Sequence, residues 1–338
     1  MKDVKVFSFA KDYKKYYIDY KAEYPGYAKY FKKHVKDNVY SARLCYTIFI
    51  NNIYQYLPLL ERDKIPFVFT LYPGGGFWLN EKVSDDKLQK VFASPLFRAV
   101  ITTQYTTYNY LRKNGFCPED RIVHKFGGVL PSDYFNKHNG ISKQYFKNDK
   151  DTFDICFVAN KYMNGGIDKG YDIFIEVARR LLQHRKDIRF HIVGGFDRSD
   201  VEMKDIDGYI HFYGIQYKAF FTAFYKKMDI ILSPNRPFIL YPGSFDGFPT
   251  GSCVEAGLNG VAVFCSDVLN ENKCFNDGKE LKIIATDPES IAASILPFIE
   301  KPNDLYILAQ KGFEKFHDIY DIEKQMAPRV ETICANLK

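Results

Sequence analysis

Residues 244–267 read SFDGFPTGSCVEAGLNGVAVFCSD. An acid, Asp246, stands before a turn rich in Pro and Gly, a short helix is predicted over 253–258, and an apolar strand follows over 261–267. Glu255 lies inside the helix, so the two acids bracket the turn. Gly251 and Ser252, next to Thr250, leave backbone N–H groups free at the helix start. Unsatisfied donors and the helix dipole there favour an anion such as a diphosphate.

The same strand-then-helix grammar extends on both sides. FDICFVA (153–159) is an apolar run of strand type, and Phe174, Val177, Ala178 and Leu181 then share one helical face. IRFHIVGG (188–195) and IHFYG (210–214) are two further strands. An amphipathic stretch through Phe220, Phe224 and Met228 leads into DIILSP (229–234), and LKIIAT (281–286) precedes a helix opening near Pro288. Alternating strands and helices predict a parallel, doubly wound sheet, whose ligands bind beyond the carboxyl ends of its strands.

The first half is less regular, yet PFVFTLY (66–72), AVITTQ (99–104) and RIVHKFGG (121–128) have strand character. A chain of 338 residues has room for two such domains. The expected fold class is therefore α/β with two Rossmann-like domains facing a central cleft, 1–145 and 146–338. The aperiodic polar stretch 137–151 is expected as the linker, and the last helix is expected to cross back to the first domain. After the strand 66–72, the run Gly74, Gly75, Gly76 is a candidate for close backbone approach to a phosphate or sugar; a plain turn explains it equally well.

Bulk properties narrow the class. With 46% hydrophobic and 26% charged residues, neither extensive disorder nor a fibrous architecture is expected. The uncharged run 44–60 carries Asn51, Asn52, Gln55 and Pro58, which suit no lipid-exposed span, and the opening MKDVKVFSF lacks the layout of a secretory signal. The chain is thus expected in the cytoplasm. Seven scattered cysteines without CxxC spacing are expected as reduced core thiols. Residues 1–148 hold 24 basic against 13 acidic side chains, whereas the remainder holds 23 against 28. The basic first half predicts an anionic partner, including a peripheral contact with an anionic membrane at its inner face. The Tyr- and Lys-dense stretch 12–40 suits a headgroup region, or simply a solvated helical surface. Nucleic acid is not expected, because no binding motif accompanies the charge.

The segment 244–267 resembles the C-terminal acidic motif of family 4 retaining glycosyltransferases of the GT-B fold. That resemblance implies that Asp246 lies near the donor sugar and that Glu255, with Thr250, Gly251 and Ser252, holds the nucleotide sugar. The first acid is Asp, and it stands nine positions before the second, where the commonest spacing is eight. FVANKYMNGGIDKGYDIFIEVA (157–178) resembles the family's basic residue followed by Lys-Gly at a helix start. By that likeness Lys161 and Lys169 offset the charge on the departing nucleoside diphosphate. Lys161 lies eight positions before Lys169, across an inserted loop. The FHIVGG and HFYG strands, in the family's order, add Gly194 and Tyr213 to the nucleotide-sugar residues, and Gly74 and Gly75 are assigned opposite them. Many family members carry a His after the 66–72 strand; this chain has none there.

The implied activity is transfer of a sugar from a nucleotide-diphosphate donor to a glycan or lipid-linked acceptor, in cell-surface polysaccharide or glycoconjugate synthesis. Neither a cofactor nor a metal is expected, since cations and a helix dipole take the metal's role and the histidines show no ligand spacing. The replaced acid, the altered spacing and the missing His motivate an alternative: a degenerate protein of the same fold that binds nucleotide or glycan without turnover. A nucleotide-sugar epimerase of this fold ranks third.

Overall fold

The computed structural model describes residues 4–130 and 143–337. Two compact units form, Met1–Ala42 and Arg43–Lys338. In the first, β1 (Val6–Ser8) leads into α1 (Tyr13–Glu23) and then into β2 (Phe31–Lys33), which pairs with β1 in parallel. Helix α1 buries none of its residues. Its Tyr13, Tyr17 and Tyr20, spaced four and three apart, gather instead around the Phe31 ring at 5.7, 6.2 and 4.7 Å.

The second unit contains two parallel sheets. The first is built from β3 (Cys45–Ile48), α2 (Ile50–Arg62), β4 (Phe67–Leu71), α3 (Lys82–Ala93), β5 (Phe97–Thr102), α4 (Tyr105–Lys113) and β6 (Ile122–His124), with strand order β3-β4-β5-β6. The uncharged run 44–60, in which no strand was expected, supplies both β3 and α2. The chain breaks between them at Phe49, whose φ of 67° ends the strand.

The second sheet comprises β7 (Phe153–Val158), α5 (Tyr171–His184), β8 (Ile188–Val193), β9 (Ile210–Phe212), α6 (Lys218–Tyr225), β10 (Ile230–Ser233), α7 (Gly251–Leu258), β11 (Ala262–Ser266), β12 (Lys282–Ile284) and α8 (Pro288–Glu300). Its order, β12-β11-β10-β7-β8-β9, is the doubly wound arrangement expected of the alternating pattern. Period-two alternation sorts the side chains. Phe153, Ile155, Phe157, Phe190 and Phe264 enter one core with α5 and α8, while Cys156, Ile231, Val263 and Cys265 enter another with α6 and α7. The predicted face of α5, Phe174, Val177, Ala178 and Leu181, is wholly buried. Helix α9 (Pro302–Ile319) joins both cores, and α10 (Ile322–Ala335) returns to the first sheet, where Gln325 donates to the Phe126 carbonyl at 3.1 Å.

Of the expected linker 137–151, residues 137–142 lie outside the described residues. The rest packs on the second sheet: Phe146 is buried edge-on against Phe153, and Lys150 bridges Asp154 at 2.6 Å and Asp229 at 2.5 Å. All described cysteines are free. Among the described residues no helix is long and apolar enough to cross a membrane.

Candidate donor-binding cleft

Parallel strands end on a common edge. At the carboxyl edge of the second sheet the loops after β7, β8, β9 and β10 surround a cleft of about 360 Å³, within the usual range for small-molecule sites. The structure brings together in its lining Lys169, Gly194, Asp246, Thr250, Gly251, Ser252 and Glu255, all named from the sequence. A second hollow opens beside it and shares Ser233, Asn235, Asp246 and Thr250.

Lys169 reaches the cleft because the turn Asn164–Lys169 folds back before α5. Gly170, which closes that turn, has a φ of 73°, and a Cβ there would stand 2.1 Å from the Pro234 carbonyl oxygen. Only glycine allows this approach, and it seats the lysine beside the loop leaving β10. Lys169 Nζ is ion-paired with the Asp246 carboxylate, lies 3.7 Å from the Asp168 carboxylate and sits 4.9 Å from the centre of the Tyr162 ring. The lysine is thus held between two carboxylates and an aromatic face.

Asp168 is buried, and neither of its carboxylate oxygens has a hydrogen-bond partner. Burial pushes its pKa above the usual carboxylate value; Lys169 opposes that shift and Asp246 adds to it. Asn235, which lines the cleft, contributes another buried, unpartnered acceptor, its Oδ1. Neither group carries a sequence motif. Their signal was positional, since both stand in loops following the strands of a doubly wound sheet.

Helix α7 begins at Gly251, two residues before its predicted start at Cys253. The side chain of its cap residue Thr250 bonds no backbone N–H of the helix; its hydroxyl is instead hydrogen-bonded to that of Ser252 at 3.2 Å. The first-turn N–H groups therefore remain available to an anion in the cleft. Glu255, one turn further on, lies in the same wall. Asn160, Tyr162, Ile215, Gln216 and Phe221 also line the cleft and were not anticipated.

Four expected residues stand elsewhere. Lys161 does not line the cleft; its ammonium is bound to Asp200 at 2.5 Å. The inserted loop that lengthens its spacing from Lys169 also carries it toward this acid. Tyr213 turns inward, its hydroxyl 2.9 Å from His191 Nδ1 and its ring packed on Phe220 and Phe224, although its carbonyl accepts from the Gln216 amide at 2.6 Å. Gly74 and Gly75 are likewise outside the lining. A Cβ on Gly75 or Gly76 would strike the Phe49 ring or the Asn51 amide, so these glycines let the 73–77 turn pack on the start of α2. Gly74 faces open space and accepts from the Phe77 N–H at 3.0 Å.

The loops bearing Asp246 and Glu271 also dock on the first sheet's side. The Gln104 amide exchanges two hydrogen bonds with the Phe248 backbone, at 3.2 and 3.4 Å. Buried Glu271 caps α4, accepting from Tyr105 N at 2.6 Å and Thr106 N at 2.7 Å. Burial raises its pKa although those bonds lower it.

Residues 152–301 match the family model described as glycosyl transferases group 1. No curated protein matches the chain by sequence. Solved structures share the architecture. A glycosyltransferase from Rickettsia africae ESF-5 is 12% identical over 94% of this chain and 88% of its own, with a TM-score of 0.65. Anabaena HepE in complex with UDP and glucose is 14% identical over 98% and 91%, with a TM-score of 0.69. The sucrose-phosphate synthase of Thermosynechococcus elongatus is 14% identical over 96% and 79%, with a TM-score of 0.61. At these identities the structural likeness is one of fold, the two-domain GT-B arrangement. With the match over residues 152–301, it supports kinship with glycosyltransferases of group 1 and GT-B type.

Proposed function

We propose that this chain, GT-B in fold and matched over residues 152–301 by the group 1 glycosyl transferase family, is a retaining glycosyltransferase using a nucleotide-diphosphate sugar. One observation carries the reading: a lysine, a facing carboxylate, an uncapped helix start and a second acid share one cleft at a strand edge. The diphosphate would lie against the start of α7 and Lys169, Glu255 would hold the ribose, and Asp246 would face the donor sugar. The acceptor oxygen bonds to the anomeric carbon as the bond from that carbon to the diphosphate oxygen breaks. The nucleoside diphosphate leaves with the electron pair, and the hydroxyl proton passes to its phosphate. Lys169 and the helix dipole oppose the charge that builds there, which is where electrostatic catalysis is most effective.

On this reading the acceptor is a glycan or a lipid-linked sugar, the protein works in the cytoplasm, and the basic first half meets an anionic membrane surface. Thermal-shift measurements with UDP, GDP, ADP and dTDP test the donor site, because a ligand selective for the folded state raises its apparent stability. UDP is the first choice, since the Anabaena relative in fold was solved with it. A rise with one base, together with slow hydrolysis of the matching nucleotide sugar, is expected. No shift with any of the four would end the proposal.

A second reading draws on Lys161, which is tied to Asp200 and leaves Lys169 as the one cation in the described lining. A binding protein without turnover would tolerate that arrangement. Nucleotide binding without hydrolysis or transfer would favour it.

A further inference from the structure

Where the two sheets' loops meet, the backbone N–H of Leu79 donates to the Gly243 carbonyl at 2.9 Å, and on either side of this junction aromatic rings pair. Phe77 packs edge-on against Phe245, next to Asp246. Trp78 stacks on Tyr241, with ring centres 4.7 Å apart and planes 27° from parallel. Although Trp78 stacks on it, Tyr241 remains 51% exposed. Phe238 and Ile239 on the same loop are 46% and 42% exposed.

The loop is not loose. Ser244 ties it by three bonds: its carbonyl accepts from Phe238 N at 2.6 Å, its hydroxyl accepts from Tyr241 N at 3.0 Å, and its N–H donates to the Tyr241 carbonyl at 3.0 Å. Phe238 is held at a φ of 68°, a conformation costly for an aromatic residue, which other contacts must impose. The fold thus spends backbone strain to present an aromatic shelf to solvent. Both ends of its loop reach the cleft region: Asn235 and Pro237 before it and Asp246 after it line the donor cleft or the hollow beside it, and buried Phe245 anchors the returning end on Phe77.

We infer that this shelf, centred on Tyr241 and backed by Trp78, is the acceptor subsite, and that its ligand is a sugar ring of a carbohydrate acceptor. The inference rests on the glycosyltransferase reading. An aromatic face is apolar and carries negative quadrupolar potential, so it complements the C–H-bearing face of a pyranose while leaving the sugar's hydroxyls free for water and for reaction. Flat, rigid rings beside the donor-sugar end of the cleft suit a flat-faced ligand better than a flexible acyl chain. A hydroxyl of the stacked sugar would bond to the anomeric carbon as the bond to the diphosphate oxygen breaks, its proton leaving with that phosphate.

Trp78 is the chain's single tryptophan, so its emission reports on this place alone. Titration with glucose and N-acetylglucosamine oligosaccharides should give a saturable change with at least one, abolished in Tyr241→Ala. Tyr241→Phe should preserve the response, and Phe238→Ser, at an exposed position, should weaken it without loss of fold. In kinetics Tyr241→Ala should lower transfer to the responding sugar at least tenfold while donor hydrolysis without acceptor stays within about twofold. Emission that answers to anionic phospholipid vesicles and to no saccharide would overturn the assignment, as would equal loss of hydrolysis and transfer. If no nucleotide is bound at all, the donor reading fails, while the Trp78 titration still judges the shelf independently.

Discussion

The Lys169 ammonium is bound to the Asp246 carboxylate across the cleft, with the buried Asp168 carboxylate 3.7 Å behind it. An arriving diphosphate would compete with Asp246 for the same cation, so phosphate binding would free the acid that is to face the donor sugar. Asp168 would remain as a fixed counter-ion beneath the lysine. Lys169→Ala is expected to lower turnover about a hundredfold, about 3 kcal/mol of transition-state stabilisation, measured by steady-state transfer kinetics. Asp246→Asn should tighten nucleoside diphosphate binding, read by calorimetry, while transfer falls.

Lys161 stands apart, paired with Asp200 and absent from the cleft lining. Lys161→Ala should change turnover by less than about fivefold, since a partly exposed ion pair contributes about 1 kcal/mol or less. A loss equal to that of Lys169→Ala would show that this lysine swings into the cleft when the donor binds.

Glu271 caps α4 from the other sheet's side. Glu271→Ala should lower stability by about 1–2 kcal/mol in a denaturant melt, because two N–H groups at a helix start lose their acceptor. Donor affinity should fall with it, since this contact helps hold the loops around the cleft.

Burial pushes the Lys143 pKa down to about 8, with Asp229 partly opposing the shift. Its ammonium donates to the Met228 and Tyr225 carbonyls. A lysine depressed in the folded state binds fewer protons there than when unfolded, so its ionisation costs stability below about pH 8, and that cost is relieved as pH rises toward 10.5. The stability of the wild type relative to Lys143→Met should therefore rise by roughly 3 kcal/mol across that window, followed by urea melts at several pH values. A gap independent of pH would contradict the buried ammonium.

Under the proposed mechanism the phosphates are neutralised by Lys169 and the α7 dipole. Transfer should survive an excess of chelator with less than a twofold change in rate. Loss of activity restored by a divalent cation would assign that neutralisation to a metal.

Much of the architecture was legible because it rests on local, periodic signals. Apolar runs of strand length alternate with the 3.6-residue faces of helices such as α5, and turn residues punctuate both, so the second sheet's strands fell where the pattern put them. The segment 244–267 similarly placed Asp246, Glu255 and the start of α7 on the cleft, since acid, turn and helix are contiguous. Strand β3 was not legible. It is short, merges with α2 in one uncharged run, and is separated from it only by the left-handed backbone at Phe49.

What depended on contacts distant in sequence was decided by the tertiary structure alone. The family resemblance gave Lys161 and Lys169 one shared role despite their longer spacing, but folding gave the first to Asp200 and the second to Asp246. The glycines at 75 and 76 looked ready for a ligand and instead admit Phe49 and Asn51. Asp168, Asn235 and the Trp78–Tyr241 pair became meaningful only when burial and neighbours were known. A side chain's chemistry is inherited from its residue type, but its charge partner, its desolvation and its direction belong to whatever the fold brings beside it.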